Sequence, residues 1–363
     1  MNRAESMALW AQLQEAGVAR GEVPAASDVA TPWYVRAMLG IAGWIGALFI
    51  LGFVALGFEF VTQSTVAMLA VGALLCVAAI LMFRIPSDND FVSQFGFAVS
   101  LVGQALILVG LGKHFFWHIQ IIALLMALIQ AMLFLLIPNF LHRVWSATMG
   151  VYATILVVNS LGLFTYTSAL LIGMFMAIWL NEFRYPQRAV PMRALGYGVA
   201  LFILFILFTP DRYWTWELWW NRRAYLPVGG RLSVWLGAGL VGLALVWTTH
   251  SLLSRVDLSA GSRPGQVALA GAVILALVSL KAPGIALATI MLIVGYAHGN
   301  RALTGLGILG LLGYLAHFYY ALQFTLLEKS VLLMCSGALL LAVRLALRRW
   351  QPPMPDKEGT QRA

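Results

Sequence analysis

Long apolar runs follow one another from Ala37 to Leu347, with short polar segments between them. An uncharged apolar run of about 18 or more residues forms an α-helix long enough to cross a hydrocarbon core roughly 30 Å thick. The pattern therefore predicts an all-α fold, a polytopic transmembrane helical bundle of about twelve spans. The predicted spans lie near 37–58, 65–83, 94–112, 119–137, 144–163, 166–181, 194–209, 232–252, 265–280, 284–298, 303–321 and 330–348.

The segment 265–298 is the hardest to divide, because its two apolar runs are short and meet at Lys281-Ala-Pro-Gly284. It forms either two short spans with a tight turn or one broken span. A single span would reverse all later segments and place the arginines at 344, 348 and 349 on the outer side. Twelve spans are therefore favoured over eleven.

Basic residues set the expected orientation. With a cytoplasmic N-terminus, 16 of the 23 lysines and arginines fall on the cytoplasmic side, as the positive-inside rule requires. Both termini are therefore expected to be cytoplasmic. The basic residues expected outside are Lys113, Arg212, Arg222, Arg223, Arg231, Lys281 and Lys329.

Polar segments flank the predicted bundle. Residues 1–35 are expected to form a cytoplasmic N-terminal segment with a short amphipathic helix and no cleaved signal. Residues 36–348 form the transmembrane helical domain. Residues 349–363 are polar and proline-containing, and are expected to form a disordered cytoplasmic tail.

Composition excludes a water-soluble domain, because 61% of the residues are hydrophobic and 10% are charged. The net charge of +9 comes from basic residues spread over many short loops, so we expect no nucleic-acid partner. Cys76 and Cys335 both fall in apolar runs, where they indicate neither a metal site nor a redox compartment.

The clearest candidate site is the interruption at Lys281, Pro283 and Gly284. Proline removes a backbone donor, and transporters place binding sites at helices broken in this way. Lys281 would then bind an anionic group. The alternative is a tight hairpin whose lysine reaches up to the outer headgroups.

A flank of aromatic and titratable residues follows in the next span. Tyr314 and His317 are spaced i and i+3, so they share one side of a helix, and Glu328 and Lys329 lie in the following loop. Together with the broken helix they form a speculative substrate-binding set, and an aromatic belt at the membrane surface is the alternative.

The segment 210–231 is the longest predicted external loop and is rich in tryptophan. A helix here would lie along the membrane surface and contact lipid or a partner protein, or serve as an interfacial anchor. The tryptophans concerned are Trp214, Trp216, Trp219 and Trp220.

Patterns for catalysis and for cofactors are missing from the sequence. His114 and His118 are spaced i and i+4, but no third metal ligand is evident, so no metal site and no cofactor are predicted. We find no serine-based, Cys-His or nucleotide-binding motif, and therefore predict no catalytic residue and no enzyme. Glu182 and His298 fall near span ends, where they are expected to reach water.

Two stretches carry a family resemblance. They are Pro32-Trp-Tyr-Val-Arg36 leading into Gly43-Trp-Ile-Gly-Ala-Leu-Phe49, and Lys281-Ala-Pro-Gly284 followed by the segments 319–330 and 337–344. They resemble a family of bacterial polytopic inner-membrane proteins of unknown function, encoded beside membrane-anchored proteins with a GDYXXLXY motif. The resemblance implies a multi-pass protein of the bacterial inner membrane and a membrane-anchored partner, and it implies no activity.

Two functions are carried forward. The first is a non-catalytic subunit or binding partner in an envelope complex, whose partners are membrane lipids and a membrane-anchored protein. The second is a transporter of a small or amphiphilic solute with its site near the broken helix at Lys281 to Gly284.

Overall fold

The computed structural model describes residues 3–17, 63–85, 90–184, 186–209, 230–255, 261–280 and 282–321, with isolated positions between 35 and 61 and between 327 and 341. All regular structure in these residues is helical. Its α-helices are α1 (Arg3–Glu15), α2 (Thr65–Arg84), α3 (Asp90–His114), α4 (Ile119–Leu136), α5 (Phe140–Ser160), α6 (Thr167–Trp179), α7 (Ala189–Phe208), α8 (Gly230–Arg255), α9 (Arg263–Ser279), α10 (Pro283–Ala297) and α11 (Arg301–Ala321). Single 3-10 turns span Phe164–Tyr166, Glu182–Arg184 and Pro186–Arg188.

Helices lie at ten of the twelve predicted spans, which agrees with the all-α fold class. The other two predicted spans, 37–58 and 330–348, and the tail 349–363 fall mostly or wholly outside the described residues. Within the described part of the chain, seven helices are long and apolar enough to cross a membrane: α2 to α5, α7, α8 and α11. Helices α6, α9 and α10 are apolar but shorter, with 13, 17 and 15 residues.

Short polar side chains mark where several helices begin. The side chains of Ser64, Asn139 and Ser262 each accept a hydrogen bond from a backbone N–H in the first turn of α2, α5 and α9. Asn300 does the same for Leu303 in α11, at 3.1 Å. Each cap satisfies a donor that the helix itself leaves open. These polar residues therefore define the first residues of helices that the apolar runs alone do not locate.

The predicted interruption at 281–284 is a real helix boundary. Helix α9 ends at Ser279 and α10 starts at Pro283. Proline fits the first turn of a helix because its missing N–H has no intrahelical partner there. The segment 265–298 thus contains two helices rather than one continuous helix, as the division into two runs predicts.

The chain divides into two compact units, Met1–Gly110 and Leu111–Ala363. In the first unit, α2 and α3 pack as an antiparallel hairpin whose contacts are made by glycine. A Cβ added at Gly72 would lie 2.8 Å from the carbonyl oxygen of Gly103, and one at Gly110 would lie 2.9 Å from Leu69. Such close backbone approach is how helices gain packing energy in lipid.

In the second unit, α10 and α11 form a similar antiparallel hairpin. A Cβ at Gly295 would lie 2.6 Å from the backbone nitrogen of Thr304, and a Cβ at Gly307 would lie 2.6 Å from that of Leu292. Contacts further along α11 are made with residues earlier in α10, so the two helices are antiparallel. Glycine is therefore required at both positions if the backbones are to stay this close.

Other contacts in the second unit show that α6 and α8 run parallel. The carbonyl of Thr165, in the turn before α6, lies against Gly237, and Thr248 Oγ1 lies 3.4 Å from Met176 Sδ. In each pair the two residues are 72 positions apart in sequence, so the two helices run in the same direction. Two helices separated by one other helix in sequence are expected to be parallel in a chain that crosses a layer repeatedly.

One end of the second unit collects the turns α4–α5, α6–α7, α8–α9 and α10–α11. We call it the arginine-rich end, defined by Arg143, Arg184, Arg188, Arg193, Arg255, Arg263 and Arg301. All seven are among the residues that the orientation argument places in the cytoplasm. The centre of the unit, in contrast, is filled by side chains from α6, α7 and α10 that are at most 2% exposed. They are Phe175, Phe202, Ile203, Leu287, Ile290 and Met291.

Candidate functional site

The broken helix brings together three of the residues proposed from the sequence. The ring of Tyr314 on α11 lies directly over Gly284 on α10, so that any Cβ at Gly284 would collide with it. Pro283 is the neighbour of that glycine at the start of α10. His317 lies one turn beyond Tyr314 and is half-buried. The contact explains why position 284 requires glycine.

The remaining residues proposed from the sequence lie outside the described part of the chain. They are Lys281, Glu328, Lys329, Trp214, Trp216, Trp219 and Trp220.

The structure shows a second polar group, at the arginine-rich end, which sequence reasoning missed. Glu182 follows α6 in a 3-10 turn, and its side chain is only 5% exposed. It accepts a hydrogen bond from Nε of Arg193 on α7, whose own side chain is 53% exposed. The expectation that Glu182 reaches water is therefore wrong: the arginine supplies the compensation that a buried carboxylate needs.

Next to this ion pair, a tyrosine joins two helices that are distant in sequence. The hydroxyl of Tyr197 on α7 donates to Asn300 Oδ1 at 2.9 Å, and the same oxygen caps α11. The Tyr197 ring packs edge-on against Trp179, with centroids 5.3 Å apart. The indole of Trp179 also faces the ring of His298 at 6.5 Å. The arginine-rich end is thus held by a network linking α6, α7, α10 and α11.

Arg255 extends this network from the last turn of α8. Its Nη2 donates to the carbonyl oxygen of Leu180 at 3.0 Å. Leu180 is the C-cap of α6, where backbone carbonyls lack helical partners. A cation at this position also interacts favourably with the negative end of the α6 dipole. The contact therefore fixes α8 to α6.

Some buried helix positions carry polar side chains that are paired within the same helix. His142 Nδ1 lies 3.2 Å from Ser146 Oγ in α5, and Gln104 donates to Ser100 Oγ at 3.0 Å in α3. The pair of His142 and Ser146 was not predicted from the sequence, because it matches no known catalytic motif. Serine beside histidine can support nucleophilic chemistry. Ser146 is 1% exposed and His142 is fully buried, so the pair has no open route to a substrate in this structure.

The candidate histidine pair for a metal is not on one helix. His114 ends α3 and His118 precedes α4, and between them Phe116 and Trp117 have positive φ angles of 48° and 60°. The spacing of i and i+4 therefore does not place the two rings side by side. Among the described residues, no group of three His, Cys, Asp or Glu side chains is arranged to hold a metal ion.

Comparison with known families identifies the chain. The model of a domain of unknown function, DUF4401, matches residues 32–350. The chain belongs to the DUF4401 family. Nothing among curated proteins or solved structures matches it.

The DUF4401 region includes α2 to α11, and so it contains both glycine hairpins and the network at the arginine-rich end. The resemblance to a family of unknown function is confirmed. A DUF4401 domain with several long apolar helices fits an integral membrane protein of unknown activity.

Proposed function

We propose that this DUF4401 protein is a multi-pass protein of the bacterial inner membrane with about twelve spans, and that it acts as a non-catalytic subunit in an envelope complex. Its partner would be a membrane-anchored protein. The observation that carries the proposal is the interior of the second unit. Its centre is occupied by tightly packed apolar side chains such as Phe175, Phe202 and Met291.

A packed apolar interior favours a structural role over transport or catalysis through that centre. A solute pathway through a membrane protein is usually marked by ionisable residues facing the bundle interior. In the described part of 111–321, such residues lie mainly at helix ends, and the buried Glu182 is neutralised by Arg193. Buried polar side chains within these helices, such as His142 and Gln130, are too few to form a continuous polar path.

The placement of the arginines supports the proposed orientation. The turns that carry Arg143, Arg184, Arg188, Arg255 and Arg301 meet at one end of the second unit, as a single cytoplasmic side requires. The α7–α8 connection is the exception, since Arg212, Arg222, Arg223 and Arg231 are expected on the outer side.

Purification of the full tagged chain from its native membrane in a mild detergent tests the proposal. Native mass spectrometry is expected to find a second membrane protein at fixed stoichiometry that survives gel filtration. Moving the tag to that second protein should recover the same complex. A chain that is isolated only as a monomer or homo-oligomer, under conditions that preserve a known control complex, contradicts the proposal.

A transporter remains the second candidate because of one observation at the helix break. Ser279 ends α9 just before the break and is fully buried, yet its hydroxyl has no hydrogen-bond partner among the described residues. Broken helices with open polar groups are where transporters bind solutes. Solute flux in proteoliposomes should then fall in Lys281→Ala and persist in Lys113→Ala. Equal flux in both variants would exclude a transport site at Lys281.

A further inference from the structure

The segment between α6 and α7 anchors two arginine side chains from different helices. Arg193 is bound through Nε to Glu182, and Arg255 is bound through Nη2 to the carbonyl of Leu180. The two anchor residues are two positions apart, so their Cα atoms are separated by at most about 7 Å. The two guanidinium groups therefore lie beside one short stretch of backbone.

Both guanidinium groups keep N–H donors that no hydrogen bond to a described residue occupies. An arginine carries five N–H donors, and each of these side chains binds its anchor through one nitrogen. Both residues are exposed, and the side chain of Arg193 is 53% exposed. An arginine already held in place loses less conformational entropy when it binds an anion. The pair is thus preorganised for a group with several acceptor oxygens.

In the described part of the chain, the charges near the pair are positive apart from Glu182, and Asp257, two positions after Arg255, lies outside that part. Among the described residues of the second unit, Glu182 is the one acidic side chain, and it is buried. Five further arginines stand at the same end, in the turns around α5, α7, α9 and α11. A phosphate group suits these donors, because guanidinium groups bind phosphate oxygens through charged, often bidentate hydrogen bonds.

Exposed apolar side chains next to the arginines distinguish a lipid from a free anion. Val190 lies three residues before Arg193 on the same side of α7 and is 57% exposed. Leu141, beside Arg143 at the start of α5, is 47% exposed. Such side chains suit acyl chains and add nothing to the binding of inorganic phosphate. Basic pockets between membrane helices on the cytoplasmic side bind acidic headgroups in the same way.

We infer that Arg193 and Arg255 form a binding site for the phosphate of an anionic phospholipid of the cytoplasmic leaflet. Glu182 and Leu180 act as positioning groups that hold the two guanidinium groups in place. The inference goes beyond the proposed subunit role, and its assignment to the cytoplasmic leaflet rests on the proposed orientation.

The test uses the purified full chain in neutral detergent, titrated with phosphatidylglycerol or phosphatidylcholine, with bound lipids counted by native mass spectrometry. The double variant Glu182→Gln/Arg193→Gln removes one guanidinium without changing the net charge. Arg255→Gln removes the other, at an exposed position. The matched control is Arg263→Gln, which lowers the charge of the same end and leaves both anchored side chains intact.

We expect the chain to prefer phosphatidylglycerol, and each test variant to lose about fivefold or more of this affinity. Arg263→Gln should change it by less than about twofold, as an unanchored surface charge does. Equal losses in all three variants, or equal affinity for both lipids, would overturn the site. Displacement of the lipid by inorganic phosphate at the same concentration would overturn the lipid assignment. Gel filtration checks folding, and if the double variant aggregates, Arg255→Gln decides the question alone.

Discussion

The hydroxyl of Tyr197 donates a hydrogen bond to Asn300 across 103 residues of sequence. Tyr197 lies in the first half of α7 and Asn300 immediately precedes α11, and the two helices run parallel, since Gly310 and Gly313 further along α11 meet Leu207 and Phe208 of α7. The same Asn300 oxygen also accepts from the backbone N–H of Leu303. One side chain therefore both starts a helix and fixes its position against a second one.

Replacing Tyr197 by phenylalanine tests this link. Asn300 would keep its capping bond and lose the tyrosine donor, so the free energy of unfolding should fall by about 1 kcal/mol. The matched control is Tyr152→Phe, since the Tyr152 hydroxyl makes no hydrogen bond to a described residue while its ring packs on Phe202. Thermal unfolding in detergent compares the two. Equal stability of both variants would mean that the bond contributes nothing.

The glycines of the α10–α11 hairpin give a second pair of variants. A Cβ at Gly295 meets the backbone of Thr304, which can move only if the helices separate. Gly295→Ala is therefore expected to cost about 1–3 kcal/mol. At Gly305 on α11 nothing lies within 4 Å of an added Cβ. Gly305→Ala should leave stability unchanged or raise it by up to about 1 kcal/mol, because alanine favours helix. The opposite order would show that the close approach is absent in the membrane.

The ion pair of Glu182 and Arg193 should respond unequally to loss of its two members. Arg193→Gln leaves a nearly buried carboxylate without its cation, at an expected cost of about 3 kcal/mol. Glu182→Gln leaves a half-exposed guanidinium that water can solvate, at a cost of about 1 kcal/mol or less. Chemical unfolding of the two variants measures the difference. Similar losses would contradict the burial of Glu182.

The non-catalytic proposal can be tested at the buried pair of Ser146 and His142. Both side chains are at most 1% exposed, so a fluorophosphonate probe for activated serines should not label the folded protein. Thr154→Ala, at an exposed position of the same helix, is the control for Ser146→Ala. Labelling of the native chain that disappears only in Ser146→Ala would contradict the proposal.

Much of the helical layout could be predicted from hydrophobic runs, because spanning lipid requires long apolar helices whatever the partner side chains are. The helix boundary at Pro283 was also predictable, since proline signals its own position. The link between Tyr197 and Asn300 was not, because no local pattern reports a contact between residues so far apart. For Glu182 the available signal was a single acid in a turn with two arginines, followed by Arg193 on α7. The prediction that residues at span ends reach water did not use this signal.

The central claim is that the chain crosses the membrane repeatedly with its arginine-bearing turns in the cytoplasm. Single cysteines at Gly261, in the α8–α9 turn, and at Leu161, in the α5–α6 turn, test it on a chain from which Cys76 and Cys335 have been removed. Both positions are exposed and stand at opposite ends of the second unit. A membrane-impermeant maleimide added to spheroplasts should label the cysteine at 161 at once and the cysteine at 261 only after permeabilisation. Labelling of position 261 in intact spheroplasts would contradict the account.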